Sequence, residues 1–95
     1  MNAATSTTQS DLHEASETYS RELLRHGTWR VVVCRGGFQW IIQVRTRAES
    51  PDGARWEGRH YCLTRSALIR LWRHHTGSDG AWLLDRLPER FPRRR

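Results

Sequence analysis

The pattern of apolar and polar residues is clearest between Trp29 and Arg45, where it predicts two antiparallel β-strands joined at Gly36-Gly37. Two consecutive glycines supply the positive φ angles that a tight hairpin turn requires. Pairing the strands about this turn separates the side chains onto two unlike faces. One face, apolar apart from Arg35, carries the pairs Arg35–Phe38, Val33–Trp40, Val31–Ile42 and Trp29–Val44. The other carries Cys34–Gln39, Val32–Ile41 and Arg30–Gln43, followed by Arg45.

The residues before this hairpin predict a helix. Leu12, Ala15, Tyr19 and Leu23 recur at helical spacing, so an amphipathic helix is expected from Ser10 to about His26. Ser10 is a suitable N-cap, and Gly27 is a suitable stop. Residues 1–9 are small and polar and predict a disordered tail.

The residues after the hairpin predict a third strand, Arg55–Leu63, which follows a loop over Thr46–Ala54 with Pro51-Asp52-Gly53 as its turn signal. The loop length does not fix the register of this strand. In the register we expect, Trp56 covers the apolar core and Arg59, with Arg55, lies beside Gln43 and Arg45.

A capped helix is predicted next, from Arg65 to about Thr76, with Thr64 as its N-cap and Gly77 as its stop. Its buried stripe is Leu68, Leu71, Trp72 and His75, whereas Arg70 and Arg73 face outward. A short helix over Ala81–Leu87, ended by Pro88, follows, and residues 93–95 form a basic tail.

These elements predict an α+β fold with the order α-β-β-β-α-α. A three-stranded antiparallel sheet is backed on one face by the Thr64–Thr76 helix. With 95 residues, the chain is expected to form one domain over residues 10–92 with a small core.

Charge changes this picture by indicating a class of partner. The chain has 16 Arg, no Lys and a formal charge of +6. Residues 1–28 carry a net charge of −2, and residues 29–95 carry 14 Arg against six acidic residues, a net charge of +8. A GC-rich genome explains the absence of Lys, and the suitability of guanidinium groups for phosphate and guanine also favours Arg. Such a basic body attracts nucleic acid or an acidic protein surface.

Targeting signals are absent from the sequence as given. Met1–Ser10 has neither a basic nor an apolar region of a secretory signal, and no apolar run approaches membrane-spanning length. Cys34 and Cys62 fall on strands expected to flank a central one, too far apart for a disulfide. We therefore expect two reduced thiols and a cytoplasmic protein without a membrane partner.

The polar sheet face is the leading candidate site. Gln and Arg make bidentate contacts to adenine and guanine edges, and Arg also binds phosphate. A solvated sheet face would carry the same residue types. Val32 and Ile41, which lie between the polar residues, are either ordinary surface residues or the centre of a protein-binding patch. The predicted contact residues are Arg30, Gln39, Gln43, Arg45, Arg55 and Arg59 on the sheet, with Arg70 and Arg73 on the helix.

Metal binding and catalysis are not predicted. His60 and Cys62 are metal-ligand types, but their spacing lacks the paired pattern of zinc sites, and His74-His75 point to different helix faces. The sequence contains no nucleophile elbow, phosphate loop or paired-carboxylate motif. We therefore expect no metal, no cofactor and no enzymatic activity.

Three strands followed by a helix, over Gly27 to His75, resemble the three-stranded DNA-binding domains of plant ethylene-response factors and the arm-binding domains of tyrosine integrases. Arg59–Ala67 is the comparable strand-to-helix entry. The resemblance implies a sheet that enters the major groove. The α-β-β-β-α order is also similar to double-stranded-RNA-binding domains, but these have a Lys-rich start to the last helix, where this chain has only Arg65.

The phrases Trp29–Cys34 and Gln39–Gln43, with Tyr61, Thr64–Leu68 and Leu87–Phe91, resemble small uncharacterised proteins of proteobacterial chromosomes and prophages. The resemblance implies a bacterial or mobile-element origin. Two functions remain open at this point, beside the alternative of a small structural protein whose charge only reflects its genome. One is a non-enzymatic accessory protein that binds nucleic acid or a nucleoprotein complex. The other is a phage inhibitor of a host defence complex, of the anti-CRISPR type, that acts by protein–protein contact.

Overall fold

The computed structural model describes residues 13–47, 55–78 and 81–92, and they are organised around an open four-stranded antiparallel sheet of order β1-β2-β3-β4. The strands are β1 (Glu22–His26), β2 (Trp29–Val33), β3 (Trp40–Arg47) and β4 (Arg55–Cys62). Helices α1 (Arg65–Thr76) and α2 (Ala81–Leu84) follow. The predicted three-stranded sheet with a leading helix is therefore wrong, because the first described element is a strand and the order is β-β-β-β-α-α.

Strand β1 replaces the second half of the predicted helix because Gly27 is a hairpin residue and not a helix stop. His26 pairs with Trp29 across Gly27-Thr28, and Gly27 has φ of 62°. A positive φ at the first central residue is typical of a tight two-residue hairpin turn. Residues 13–21 form turns rather than a helix. The predicted tail over residues 1–9 and the start of the predicted helix at Ser10 lie outside the described residues.

The register of the β2–β3 hairpin is confirmed, whereas its turn is longer than predicted. Trp29 pairs with Val44 and Val33 with Trp40, with every intermediate pair as expected. The amide of Gly37 donates to the carbonyl of Cys34, and the amide of Cys34 donates to the carbonyl of Gln39. The loop thus has one extra residue on each side, which leaves the strand register unchanged.

Two of the three register shifts in the sheet decide which side chains of the site share a face. In β1, Glu22 pairs with Val32 and Leu24 with Val31, so Leu23 is the extra residue of a bulge. The bulge turns Glu22 to the same face as Val32 while both leucines pack against the apolar core. In β4, a second register shift falls opposite Ile42 and Gln43.

Helix α1 has the predicted bounds and both predicted caps. The Thr64 hydroxyl accepts a hydrogen bond from the amide of Ala67, and Gly77 is left-handed with φ of 69°. Leu68 and Trp72 are buried in the interface with the sheet. Helix α2 ends at Leu84, three residues earlier than predicted. The predicted turn at Pro51-Asp52-Gly53 and the basic tail over residues 93–95 lie outside the described residues.

Both faces of the sheet are covered, and this departs most from expectation. One face packs against α1 and α2 through a core of Val31, Trp40, Ile42, Cys62, Leu68, Trp72 and Leu84. Residues 13–21, here termed the N-terminal segment, cover the opposite face. Tyr19 of this segment is buried with Val32, Cys34 and Ile41 in a second apolar cluster. Cys34 and Cys62 are both free, as expected, and both are buried, although Cys34 was expected on the polar face.

Candidate nucleic-acid interface

The centre of the predicted polar face is internal. Arg30 is 0 % exposed and Gln43 is 2 % exposed, so neither reaches the protein surface. The two residues pair across β2 and β3, and the Arg30 Nε donates to the Gln43 Oε1 at 2.7 Å. The sequence places these groups on one face, as predicted. It does not reveal that the N-terminal segment lies over them.

Arg30 binds the N-terminal segment through its guanidinium group. Its Nη2 donates to the carbonyls of Glu14 and Ser16, both at 2.9 Å. Its Nη1 donates to the Glu22 carboxylate at 3.0 Å and to the carbonyl of Glu17 at 3.5 Å. With the bond to Gln43, all five N–H donors of the guanidinium have an acceptor, which is the condition for burying a charge at tolerable cost.

Trp56 closes this site from β4. The Arg30 guanidinium lies 4.3 Å from the centre of the indole ring, and the indole N–H donates to a Glu17 carboxylate oxygen at 2.8 Å. Trp56 pairs with Arg45, which places it on the Arg30 face. The expected register, with Trp56 over the apolar core, is therefore wrong, because the shift in β4 moves this residue to the other face.

The charged groups around Arg30 pair with one another. Burial lowers the pKa of the Arg30 guanidinium, and its hydrogen bond and ion pair with Glu22 oppose this shift. Hydrogen bonds to Glu22 and Glu17 raise the pKa of Arg25, which bridges both carboxylates. Burial raises the pKa of Glu17, but hydrogen bonds from Arg25 and Trp56 outweigh it, so the net direction is downward. The carboxylates of Glu17 and Glu22 thus have their hydrogen-bond partners within the protein.

Val32 and Ile41 are also internal, at 0 % and 1 % exposure. They pack against Tyr19, whose hydroxyl donates to the carbonyl of Val33 at 2.7 Å. Neither residue is available as the centre of a protein-binding patch. Their β-branched side chains instead form the second core.

The remaining predicted contact residues fall into a half-buried group and an exposed group. Gln39 and Arg45 are half-buried, and the Arg45 guanidinium lies 5.7 Å from the Trp56 ring. Arg55 and Arg59 on β4 are exposed, and the Arg59 guanidinium lies 5.8 Å from the ring of Trp29. Arg70 and Arg73 on α1 are exposed as predicted. The accessible part of the predicted set therefore lies on β4 and α1.

The solvent side of α1 is cationic along its length. Its exposed residues, here termed the cationic helix face, are Ser66, Arg70, Arg73 and His74. Spacings of three and four residues place them on one side of the helix. The helix contains no acidic residue. The two arginines were predicted contact residues, whereas His74 was not, although its position four residues after Arg70 places it on the same side of the helix.

A histidine pair lies between β4 and the end of α1. The Nε2 atoms of His60 and His75 are 2.8 Å apart, and the His75 ring stacks on Trp29 with 4.2 Å between centres. Burial lowers the pKa of His75, and His60, His74 and Arg59 lower it further. Within residues 13–47, 55–78 and 81–92, no three His, Cys, Asp or Glu side chains are grouped so as to hold a metal ion.

Helices in the described part of the chain are all too short or too polar to cross a membrane. Comparison with known proteins found no family model that matches the chain, and no curated protein or solved structure that matches it.

Proposed function

We propose that this protein is a small non-enzymatic accessory protein that binds nucleic acid or a nucleoprotein complex, and that it does so through α1 and the neighbouring arginines of β4. The observation that carries the proposal is the cationic helix face, on which Arg70 and Arg73 lie exposed without an acidic residue in the helix. Phosphate groups attract such a face at long range and accept hydrogen bonds from guanidinium groups on contact.

The distribution of ion pairs supports this assignment. Glu17 and Glu22 bind Arg25 at the surface, and Glu22 also binds the buried Arg30, so the acidic N-terminal part of the chain neutralises its own cations. Glu57 is the exposed acidic residue on β4, which also carries the exposed Arg55 and Arg59. The exposed arginines of α1 and β4 therefore supply positive potential outside this group of ion pairs.

Arg59 and α1 belong to the same side of the molecule. The Arg59 guanidinium lies 5.8 Å from the centre of the Trp29 ring, which stacks on His75 in the last turn of α1. Arg65, by contrast, has a structural role, since it donates to the carbonyls of Asp85 and Leu87. The phosphate contacts are assigned to Arg59, Arg70 and Arg73.

Fluorescence anisotropy with labelled duplex DNA, single-stranded DNA and RNA tests the proposal. The double variant Arg70→Gln/Arg73→Gln is expected to bind all sequences more weakly, and to reduce the slope of log affinity against log salt by about two, one for each phosphate contact. The control is Arg21→Gln/Arg35→Gln, which removes the same charge from two exposed side chains outside α1 and β4. Equal losses in both variants would show a net-charge effect and contradict the assigned face.

A second candidate function is the inhibition of a host defence complex by protein–protein contact. The observation that favours it is the exposure of Phe38, Tyr61, Leu63 and Trp82, since exposed large apolar side chains are typical of binding surfaces. This function predicts no nucleic-acid binding near physiological salt and a stable complex with one purified effector. Tyr61→Ala and Leu63→Ala are expected to weaken that complex, whereas Arg70→Gln is not.

The bacterial or mobile-element origin in either proposal rests on the resemblance of the Trp29–Gln43 region to small prophage proteins. It does not affect the assignment of the face.

A further inference from the structure

Trp82 is an exposed tryptophan held on a fixed element. Its side chain is 70 % exposed, while Trp40, Trp56 and Trp72 are buried and Trp29 stacks on a histidine. Two residues later, Leu84 is fully buried against Leu68 and Trp72, which anchors α2 on α1. An indole side chain in water leaves a large apolar area exposed. Its position on an anchored helix gives that area a defined orientation.

An arginine lies beside this indole. The Arg86 guanidinium lies 5.9 Å from the centre of the Trp82 ring. Arg65 identifies the side of α1 that faces α2, because it donates to the carbonyls of Asp85 and Leu87. At about 100° per residue, Arg73 lies about 80° around the helix from Arg65, and Arg70 lies about 140° around it. Around the helix axis, Arg73 is thus closer than Arg70 to the side of α1 that faces α2.

We propose that this surface binds single-stranded nucleic acid, with an unpaired base stacked on Trp82 and the flanking phosphates against Arg73 and Arg86. The inference rests on the proposed function and names its ligand class. Every base has a π-face that an exposed aromatic ring can stack on, but in a duplex the neighbouring base pairs cover that face. Guanidinium groups beside the ring supply the phosphate contacts that a stacking platform requires.

The experiment measures the affinity of a labelled 15-nucleotide oligo-dT and of a duplex of the same length at physiological salt. The wild-type protein is expected to bind the single strand more tightly. Trp82→Ala is expected to lower single-strand affinity about 5- to 150-fold, which corresponds to one stacked base. Its effect on duplex affinity should be less than twofold. Phe38→Ala, which removes another exposed aromatic ring in the β2–β3 loop, is the matched control and should change neither affinity.

Two further variants separate stacking from general apolar contact. Trp82→Phe retains an aromatic face and should preserve most of the single-strand affinity. Trp82→Leu retains an apolar side chain but has no aromatic face, so it should lose most of the single-strand affinity. Quenching of tryptophan fluorescence by the bound oligonucleotide is expected in the wild type and should be largely lost in Trp82→Phe. The urea midpoint of each variant shows that the fold is intact.

The outcomes separate this inference from the proposed function. Equal wild-type affinity for duplex and single strand, unchanged by Trp82→Ala but reduced by Arg70→Gln/Arg73→Gln, overturns the single-strand inference and leaves the proposed function standing. Absence of binding to any nucleic acid overturns both. Loss of binding to a purified protein partner in Trp82→Ala, without nucleic-acid binding, would assign the indole to a protein interface instead.

Discussion

Substitution of Arg30 tests whether this side chain holds the N-terminal segment on the sheet. Arg30→Ala leaves the carbonyls of Ser16 and Glu17 and the Gln43 amide oxygen without this donor, and the Glu14 carbonyl keeps its bond from the Gln43 amide alone. Glu22 is partly exposed, so solvent screens the loss of its ion pair with Arg30. Most of the lost free energy of unfolding therefore comes from the less exposed acceptors. A buried acceptor that is left unsatisfied costs about 1–3 kcal/mol, so the loss of several part-buried partners should total about 3–5 kcal/mol.

That loss is large for a chain of this size. A domain of 95 residues has a free energy of unfolding of about 5–14 kcal/mol. Since about 1 kcal/mol shifts Tm by about 4–8 °C in a domain of this length, we expect Tm to fall by about 12–40 °C. Arg30→Lys retains the charge but has three donors instead of five, so at least two acceptors lose their bond, at about 2 kcal/mol or more.

Urea unfolding measured by tryptophan fluorescence gives the free energies, and limited proteolysis with a glutamyl endopeptidase locates the change. Cleavage after Glu14 and Glu17 should be slow in the wild type and fast in Arg30→Lys, because the segment is no longer held. Arg35→Ala, at an exposed side chain in the β2–β3 loop, is the control and should stay within about 0.5 kcal/mol of wild type. A loss below about 1 kcal/mol in Arg30→Ala, with unchanged cleavage, would refute this account of the segment.

Three other predictions concern the histidine pair, the caps of α1 and the thiols. The pKa of His75 is lower in the folded state than the usual value of about 6.5, so the unfolded state takes up the proton first. The free energy of unfolding should therefore fall as the pH drops from above 6.5 through the lowered pKa, and His75→Phe should flatten that dependence in urea titrations at several pH values. Thr64→Ala and Gly77→Ala should each cost about 1 kcal/mol in the same assay, because one removes the N-cap acceptor and the other places a side chain at positive φ. Cys34 and Cys62 are buried, and burial raises the pKa of Cys62, so neither thiol should react with Ellman's reagent until the protein unfolds; rapid reaction of the native protein would contradict this.

Local signals predicted the elements whose partners are close in sequence. The β2–β3 register follows from alternation on both sides of one turn, and the longer loop preserved it because it added residues symmetrically. The bounds of α1 follow from Thr64 and Gly77, which act within one helical turn. In both cases the sequence contains the cause of the structure within a few residues.

The prediction of a helix over Ser10–His26 failed because the determining contacts are distant in sequence. Arg30 and Gln43 bind the carbonyl of Glu14, and Trp56 binds the Glu17 carboxylate. These bonds give the segment partners that an isolated helix would not offer. Gly27-Thr28 between two strand-like stretches was the available local signal for β1.

The candidate site was predictable in part for a related reason. Side-chain alternation places Arg30 and Gln43 on one face, but it cannot distinguish a face that meets solvent from one that another segment covers. The outward position of Arg70 and Arg73 depends only on helical spacing, and it was predicted correctly. Trp82 gave no periodic signal, since α2 is a single turn.

The contacts of the N-terminal segment resemble those of a bound peptide. It presents main-chain carbonyls to a guanidinium group, inserts Tyr19 into an apolar pocket and adds a bridge between Ser16 and Arg55 at the β4 edge. The N-terminal segment thus occupies a binding surface on the sheet of its own chain. A fragment that begins at Glu22 would leave this surface of the sheet uncovered. A synthetic peptide of residues 13–21 would be expected to bind that fragment as a separate molecule.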